Sequence, residues 1–566
     1  MSRMRFSLTP LLMLAAASPL HASSTIVPDS HPTVQQAIDS GVDTVYVKSG
    51  TYFESLVVSA DLVLLAYEPD VVHGSQFDHP IIAGLKTTHD ITVRGVRFLD
   101  LVTVAVAGGP LSAECVFEAC RFDGGMSTGD PLEAFLYVRG CTFLADSDIT
   151  PYSCQFMNNA FIGAHLNVGY EGFASFHSNV FTGSGDHGLR VNANDGGCTI
   201  AGNLIRDKVT GLIIEDPVGT TVSDNEISDC SGTAIQASRI GVAPGSPVFD
   251  GNRISECGGH GIALADVGGA FYENVISDVG GDGIQALGFP LLAISVNQIR
   301  NTGGHGVHTD GSVNWVDYNV ILNATGDGVV VESVSNCHFN VVGRAGGVGI
   351  RVTDGFDVDI QANTLYYCGG AGIELADGSP GLVEFNIAYQ NGGVGFAWLS
   401  AGAPTLGCND WYANTGGATS GVSPAGTDLA VDPLFCNVGD DDVRLSAGSP
   451  LVSVPSCGGP IGALGVGCAV PVSVRPADPG GLDLQVYPQP ARGLVTFAWG
   501  NTAEPARIEV YDLTGARRWT SDIVAGSQSI EWGFHDASGR ALAPGVYLVR
   551  LERGRHALTR KITLTR

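Results

Sequence analysis

The chain has 566 residues, of which 44% are hydrophobic and 77 are glycine, so it is not a disordered segment and, without a Gly-X-Y period, not a collagen. Lys and Arg number 29 against 57 Asp and Glu, a net charge of −28, and a field of that sign argues against a nucleic-acid or anionic-membrane partner. Residues 476–566 hold 11 basic and 9 acidic residues, so the acidity sits in the long front part.

Residues 1–22 have the layout of an export signal. Arg3 and Arg5 precede an apolar core, Leu11–Ala17, and Leu20-His21-Ala22 offers a cleavage site whose Leu20 is bulkier than usual. No later uninterrupted apolar run has the length of a membrane span, so no transmembrane segment is expected. The 13 cysteines would then meet an oxidising compartment, and an odd number leaves at least one unpaired within the monomer. Thr33 and Gln36 predict a capped short helix from Val34 to Asp39, followed by a strand over 43–47 and a turn at Gly50. Residues 90–165 read as less regular turns carried by Phe98, Phe117, Phe143 and Phe156.

From about residue 158 a pattern recurs: Asn-x-aliphatic, a few residues, Gly-x-Gly, aliphatic-x-aliphatic. The leading residues are Asn179, Asn203, Asn225, Asn252, Asn274, Asn297, Asn319, Asn340, Asn363, Asn386 and Asn409, spaced by 24, 22, 27, 22, 23, 22, 21, 23, 23 and 23. Such a period is that of a solenoid, and its short β runs leave no room for a helix in each turn. Two residues after the asparagines, and again just after the glycines, aliphatic or aromatic side chains line up. Coiled as a parallel sheet, each column would bury like on like about 4.8 Å apart, giving a core no single turn could build. The asparagines would form their own column at a bend. About eighteen turns are expected, with Trp398 and Trp411 inside and Tyr366 and Tyr367 as candidate exposed sugar platforms.

These repeats, with TVQQAIDSGVDTVYVKSGTYFESLVV at 33–58 and the DPLF…RL…GSP…IGA ending at 432–463, resemble the right-handed parallel β-helix, pectin-lyase-like superfamily. The resemblance covers roughly 30–468, caps included, and implies an all-β fold class: a parallel β-helix solenoid followed by a small β-sandwich. A Pro-rich linker fills 469–480. Residues 481–566 show alternating strands with YDLTGA, Trp532, DASGR and GVYLVRL, and so resemble FlgD-type immunoglobulin-like modules and the sorting domains of type IX secretion cargo. That resemblance implies outer-membrane secretion machinery as a partner, and a secreted or cell-surface location.

Cys230 and Cys257 occupy one column on adjacent turns and could form either a disulfide or a buried thiol ladder. Cys408, Cys436, Cys457 and Cys468 cluster at the C-terminal cap, where two disulfides are expected, and Cys115 and Cys120 could form a local bridge.

The residue between the glycines runs His187, Thr233, His260, Asp282, His305, Asp327, Val348, Ala371, Val394. Flanking glycines are expected to leave these groups open to a ligand. With His308, Asp310, Glu332 and Arg351 they outline a polar patch about four turns tall. Polygalacturonase-like hydrolases place acidic residues and a Gly-His-Gly histidine at such positions, but their NTD, DD and R-I-K motifs are absent here. Two functions follow for an exported protein acting on an acidic polysaccharide or cell-surface glycan. In a hydrolase, Asp282 and Asp327 are the carboxyl pair. In a lyase, His305, His308 or Arg351 takes the proton α to a uronate carboxylate, and Ca²⁺ held by Asp310, Asp327 and Glu332 neutralises it. The alternative is a non-catalytic adhesin or structural rod, in which the column makes only turn hydrogen bonds. Acidic surroundings are expected to raise the histidine pKa values.

Overall fold

A computed structural model describes residues 23–67, 80–104, 113–128, 132–193, 196–217, 219–239, 247–288, 292–354, 358–376, 381–468, 484–499, 506–512, 516–523, 529–536, 538–553 and 556–565. The expected export signal and the Pro-rich linker lie outside the described residues, as does most of the longest repeat spacing's extra segment, ASRIGVAPGSP at 237–247. Two compact units divide the chain at Ala469/Val470.

The first unit is a parallel β-helix. One coil illustrates the others: strand Gly269–Tyr272, strand Val275–Val279, strand Ile284–Leu287, then Leu292–Ser295 back on the first face. Among the described residues the first face is a sheet of 18 strands, one per coil, in keeping with the expected eighteen turns. The other two faces run together as 32 strands. Register is strict: Phe271 sits on Ile294, Ile276 on Ile299, and Ile284 on Val307. Each of these residues is fully or almost fully buried, so the repeat builds one continuous core. Toward the N-terminus the same core is aromatic, with Phe122, Phe143, Phe161 and Phe181 stacked at centroid distances of 4.5–4.6 Å. Trp398 and Trp411 are buried, as expected. The N-terminal end carries the short helix Val34–Asp39, its first turn bonded by Thr33 Oγ1 and by the Glu54 carboxylate.

The asparagines form a buried ladder. Asn297 donates from its backbone N–H and from Nδ2 to Asn319 Oδ1, at 3.0 Å each, and Asn319 Nδ2 donates to Ile294 O at 2.8 Å and to Asn340 Oδ1 at 3.0 Å. The same unit repeats from Asn159, at the expected start of the pattern and one coil before the first aligned asparagine, to Asn409. The residue before each asparagine adopts positive φ, for example Glu273, Val296, Tyr318 and Phe339. That bend turns the amide inward. At the end of the ladder Asp428 replaces asparagine: Oδ1 accepts from Asn409 N and Nδ2, and Oδ2 from Trp411 Nε1 and Ala425 N.

The C-terminal cap covers the flank of the last coils. Val443, Leu445, Leu451 and Ile461 pack on Leu322, Tyr366, Ile387 and Tyr389. Tyr366 is therefore buried, its hydroxyl donating to Asp441 at 2.9 Å, and Tyr367 packs against the same cluster. Neither is an exposed sugar platform, because the cap folds back over that face. Disulfides Cys408–Cys457 and Cys436–Cys468 pin the cap, as expected of these four cysteines. Cys115 and Cys120 are free and buried, with no local bridge. Cys115 lies on the first face and Cys120 beyond the bend, on separate parts of the coil. Cys230 and Cys257 are also free, so their column is a thiol ladder.

Asp410, at the root of the cap, is fully buried and accepts from Val431 N–H at 2.9 Å, while its Oδ2 has no partner. Burial pushes its carboxyl up to about 7. A folded-state value above the ordinary 3.8 means that the associated stability is complete below that value and is lost as pH rises through about 7. The cap is thus expected to melt at lower temperature near pH 8 than near pH 5, and Asp410→Asn to narrow that gap. Thermal unfolding at the two pH values checks this, and an unchanged gap would show that Asp410 does not set it.

The second unit forms a seven-stranded sheet. The strands Ala506–Asp512, Gly545–Arg553 and His556–Thr565 pair antiparallel in sequence around buried Val510, Val549, Leu551 and Ile562. Trp532 closes the core against Phe497. It resembles a small β-sandwich.

Candidate functional site

The Gly-x-Gly segment leads from the second face into the third, and the glycines are there for packing. A Cβ on Gly306 would stand 2.3 Å from Ile321 Cγ2 and 2.5 Å from Gly328 O. One on Gly304 would stand 2.2 Å from Asp282 Oδ1. The first contact closes the core, and the second lets one coil's side chain reach the next coil's backbone. The expectation that the glycines hold the column open to solvent fails for three of its members, while Thr233, His260 and His305 remain partly exposed. His187, Asp282 and Asp327 are only 5–7% exposed.

The column is a second ladder. Asp282 N–H donates to His260 Nδ1 at 2.9 Å, His305 N–H to Asp282 Oδ1 at 2.7 Å, Asp327 N–H to His305 Nδ1 at 3.0 Å, and Val348 N–H to Asp327 Oδ1 at 2.6 Å. Asp282 has a further role. Its Oδ2 accepts from Gln285 Nε2 at 2.9 Å and lies 3.2 Å from His308 Nδ1. Burial opposes ionisation of Asp282, but the bonds from His308, the His305 N–H and Gln285 outweigh it and bring the carboxyl to about 2. The same bond raises the pKa of His308, partly offset by burial. His187 departs from the expected direction: burial first, and then His165 4.4 Å away, push it down to about 4.

The expected site residues separate into three groups. Asp282, His305 and His308 come together, with ligand atoms within 4.8 Å of one another. Arg351 pairs with Asp327, Nε to Oδ2 at 2.7 Å, and with Glu374. Those bonds raise its pKa further, so it holds its proton more firmly than a free guanidinium. Asp310 is exposed, accepts from Gly288 N–H at 2.7 Å, and with Glu332 stands outside the convergent group. Sequence reasoning named Asp282 and His308 but not their pairing, which runs diagonally between adjacent coils. The signal for it is a between-glycine residue on one coil and the outward strand residue of the next. It also passed over Lys208, which is buried with Nζ donating to Ala164 O at 3.0 Å.

Asp282, His305 and His308 form a candidate metal-coordinating cluster. Two imidazoles and one carboxylate suit a borderline ion such as Zn²⁺ and do not suit Ca²⁺, which takes six to eight oxygens. Both oxygens of Asp282 already accept hydrogen bonds, and His305 Nδ1 already accepts from Asp327 N–H. A metal on this cluster would leave the ladder bonds in place only by using the imidazole Nε2 atoms and Asp282 Oδ2.

Comparison with known proteins follows the same division. A right handed beta helix region matches residues 140–288, 210–355 and 268–411, and a secretion system C-terminal sorting domain matches 485–565. No curated protein matches the chain. Among solved structures, the chain is similar to dimeric latent PorU from Porphyromonas gingivalis, at 21% identity and a TM-score of 0.14, over 15% of this chain and only 9% of that one. It is similar to the A-module of the mannuronan C-5 epimerase AlgE4 from Azotobacter vinelandii, at 14% identity and a TM-score of 0.27, over 70% of this chain and 95% of that one. It is also similar to tailspike protein 3 of bacteriophage CBA120, at 15% identity and a TM-score of 0.23, over 69% of this chain and 59% of that one. The chain is a right-handed parallel β-helix solenoid carrying a C-terminal secretion-system sorting domain, an exported protein that is secreted or held at the cell surface.

Proposed function

We propose that the solenoid acts on an acidic polysaccharide, with His308 as the group that moves the proton. The observation that carries this is the buried Asp282 carboxylate 3.2 Å from His308 Nδ1. A carboxylate there keeps the proton on Nδ1 and leaves the Nε2 lone pair to a ligand. Among the described residues Nε2 of His308 carries no hydrogen bond, and the side chain is 32% exposed. Elimination fits this pair better than hydrolysis. Glycoside hydrolysis needs one carboxyl that holds a proton, whereas Asp282 is drawn to about 2 and Asp327 is paired with Arg351. In elimination His308 takes the proton α to the uronate carboxylate, the freed electron pair forms a C=C bond to the adjacent carbon, and the glycosidic oxygen leaves from that carbon and takes a proton from water. No step here is assigned to Ca²⁺: of its expected ligands, Asp310 and Glu332 stand outside the convergent cluster and Asp327 is paired with Arg351.

A second reading rests on the ladder itself. The bonds from His260 to Val348 satisfy the column within the chain, as a non-catalytic adhesin or rod requires. Incubation with polyuronates, in Ca²⁺ and separately in EDTA, separates the two. The lyase reading expects unsaturated chain ends in both buffers. Reducing ends without unsaturation would replace it by hydrolysis, and absence of any product by the rod.

A further inference from the structure

His260 and His305 occupy the same column two coils apart, on either side of Asp282. In each ring Nδ1 is the acceptor of the next coil's backbone N–H. A nitrogen that accepts cannot carry the proton, so the neutral ring holds its hydrogen on Nε2. The tautomer is set by the backbone. Carboxylates do the same work on the intervening coils: Asp282 and Asp327 accept through Oδ1. Their charge is used up inside the site, Asp282 on His308 and Gln285, and Asp327 on Arg351. On His260 and His305 this leaves the ring Nε2–H as the group free to donate to a ligand.

We infer that His260 and His305 are Nε2–H donors fixed about 10 Å apart along the solenoid axis, and that they bind anionic oxygens of a glycan lying along this face. His260 is 30% exposed at its side chain and His305 is half-buried, so both can meet a ligand. The oxygens can belong to a carboxylate or to a sulfate ester, since both accept from an imidazole N–H. The inference uses the face assigned above but not its reaction. His260 has no part in proton transfer and acts as a binding residue.

The column itself supplies the variant. Because an aspartate Oδ1 replaces an imidazole Nδ1 on alternate coils, His260→Asn and His305→Asn can keep the bond to the next coil and lose only the ring N–H. Each is expected to weaken binding of polygalacturonate, or of a sulfated polysaccharide, about tenfold, as for a hydrogen bond to a charged group, with thermal unfolding unchanged. The wild type is expected to retain an uncharged glucan no better than these variants retain the polyanions. Long-range ¹H–¹⁵N correlations at a pH where the rings are neutral should show Nε2–H for both residues. An Nδ1–H tautomer at either, unchanged affinity in both variants, or a wild type that retains neither polyanion overturns the inference. A wild type that binds the polyanions through these rings but forms no unsaturated ends would instead count against the lyase reading alone.

Discussion

Replacing His308 by Gln is expected to lower turnover of a polyuronate by at least about 100-fold, the ordinary contribution of a positioned acid–base group. The side chain lies on the outer face of strand Val307–Thr309 and leaves no core cavity when changed, so the melting temperature should hold. Asp282→Asn tests the pair more closely. Its Oδ1 can still accept from His305 N–H, but an amide in place of Oδ2 no longer fixes the His308 proton on Nδ1. The bond to Asp282 raises the His308 pKa, so activity that needs neutral imidazole is displaced toward alkaline pH in the wild type. In the variant the acid limb of the pH–rate profile should move down toward the ordinary 6.5. A variant that loses rate with an unmoved profile would make Asp282 a purely structural residue. Full activity of His308→Gln would end the assignment of this face.

The largest expected effect on stability falls in the asparagine ladder. Asn319→Leu preserves side-chain volume but removes the acceptor shared by Asn297 N–H and Nδ2, and the donor to Ile294 O and Asn340 Oδ1. All of these groups are buried. Leaving two or more of them unsatisfied costs on the order of 4 kcal/mol. In a solenoid that cost is felt by neighbouring coils first, so amide exchange should quicken at 294–299 and 340–342 while the first coils stay protected. A loss below about 1 kcal/mol would show that water replaces the missing partners.

The repeat was legible because Ile276, Ile299 and Ile321 recur at a fixed spacing, and a fixed spacing in a parallel coil means vertical contact. Asn159 was not aligned with the other asparagines because the coil it leads lacks Gly-x-Gly, although its amide pairs with Asn179 like the rest. The site was only half legible. The column position of Asp282 and His305 follows from the repeat, but whether a polar residue there faces solvent depends on the length of its side chain and on the neighbouring glycine. Asp282 is short and turns back onto the His305 N–H, whereas His308, on the strand, stands outward. The fate of Tyr366 depended on a cap about 75 residues further on, at Asp441, and no local pattern announces such a contact.

Asp428 bears on how long such a protein can be. Every asparagine in the ladder both accepts and donates, so each coil calls for another beyond it. A carboxylate has lone pairs but no hydrogens, and Asp428 receives four N–H groups from Asn409, Trp411 and Ala425 while offering none onward. Exchanging one nitrogen for oxygen thus acts as a stop signal: the side-chain ladder has no donor left to hand to a further coil at that position.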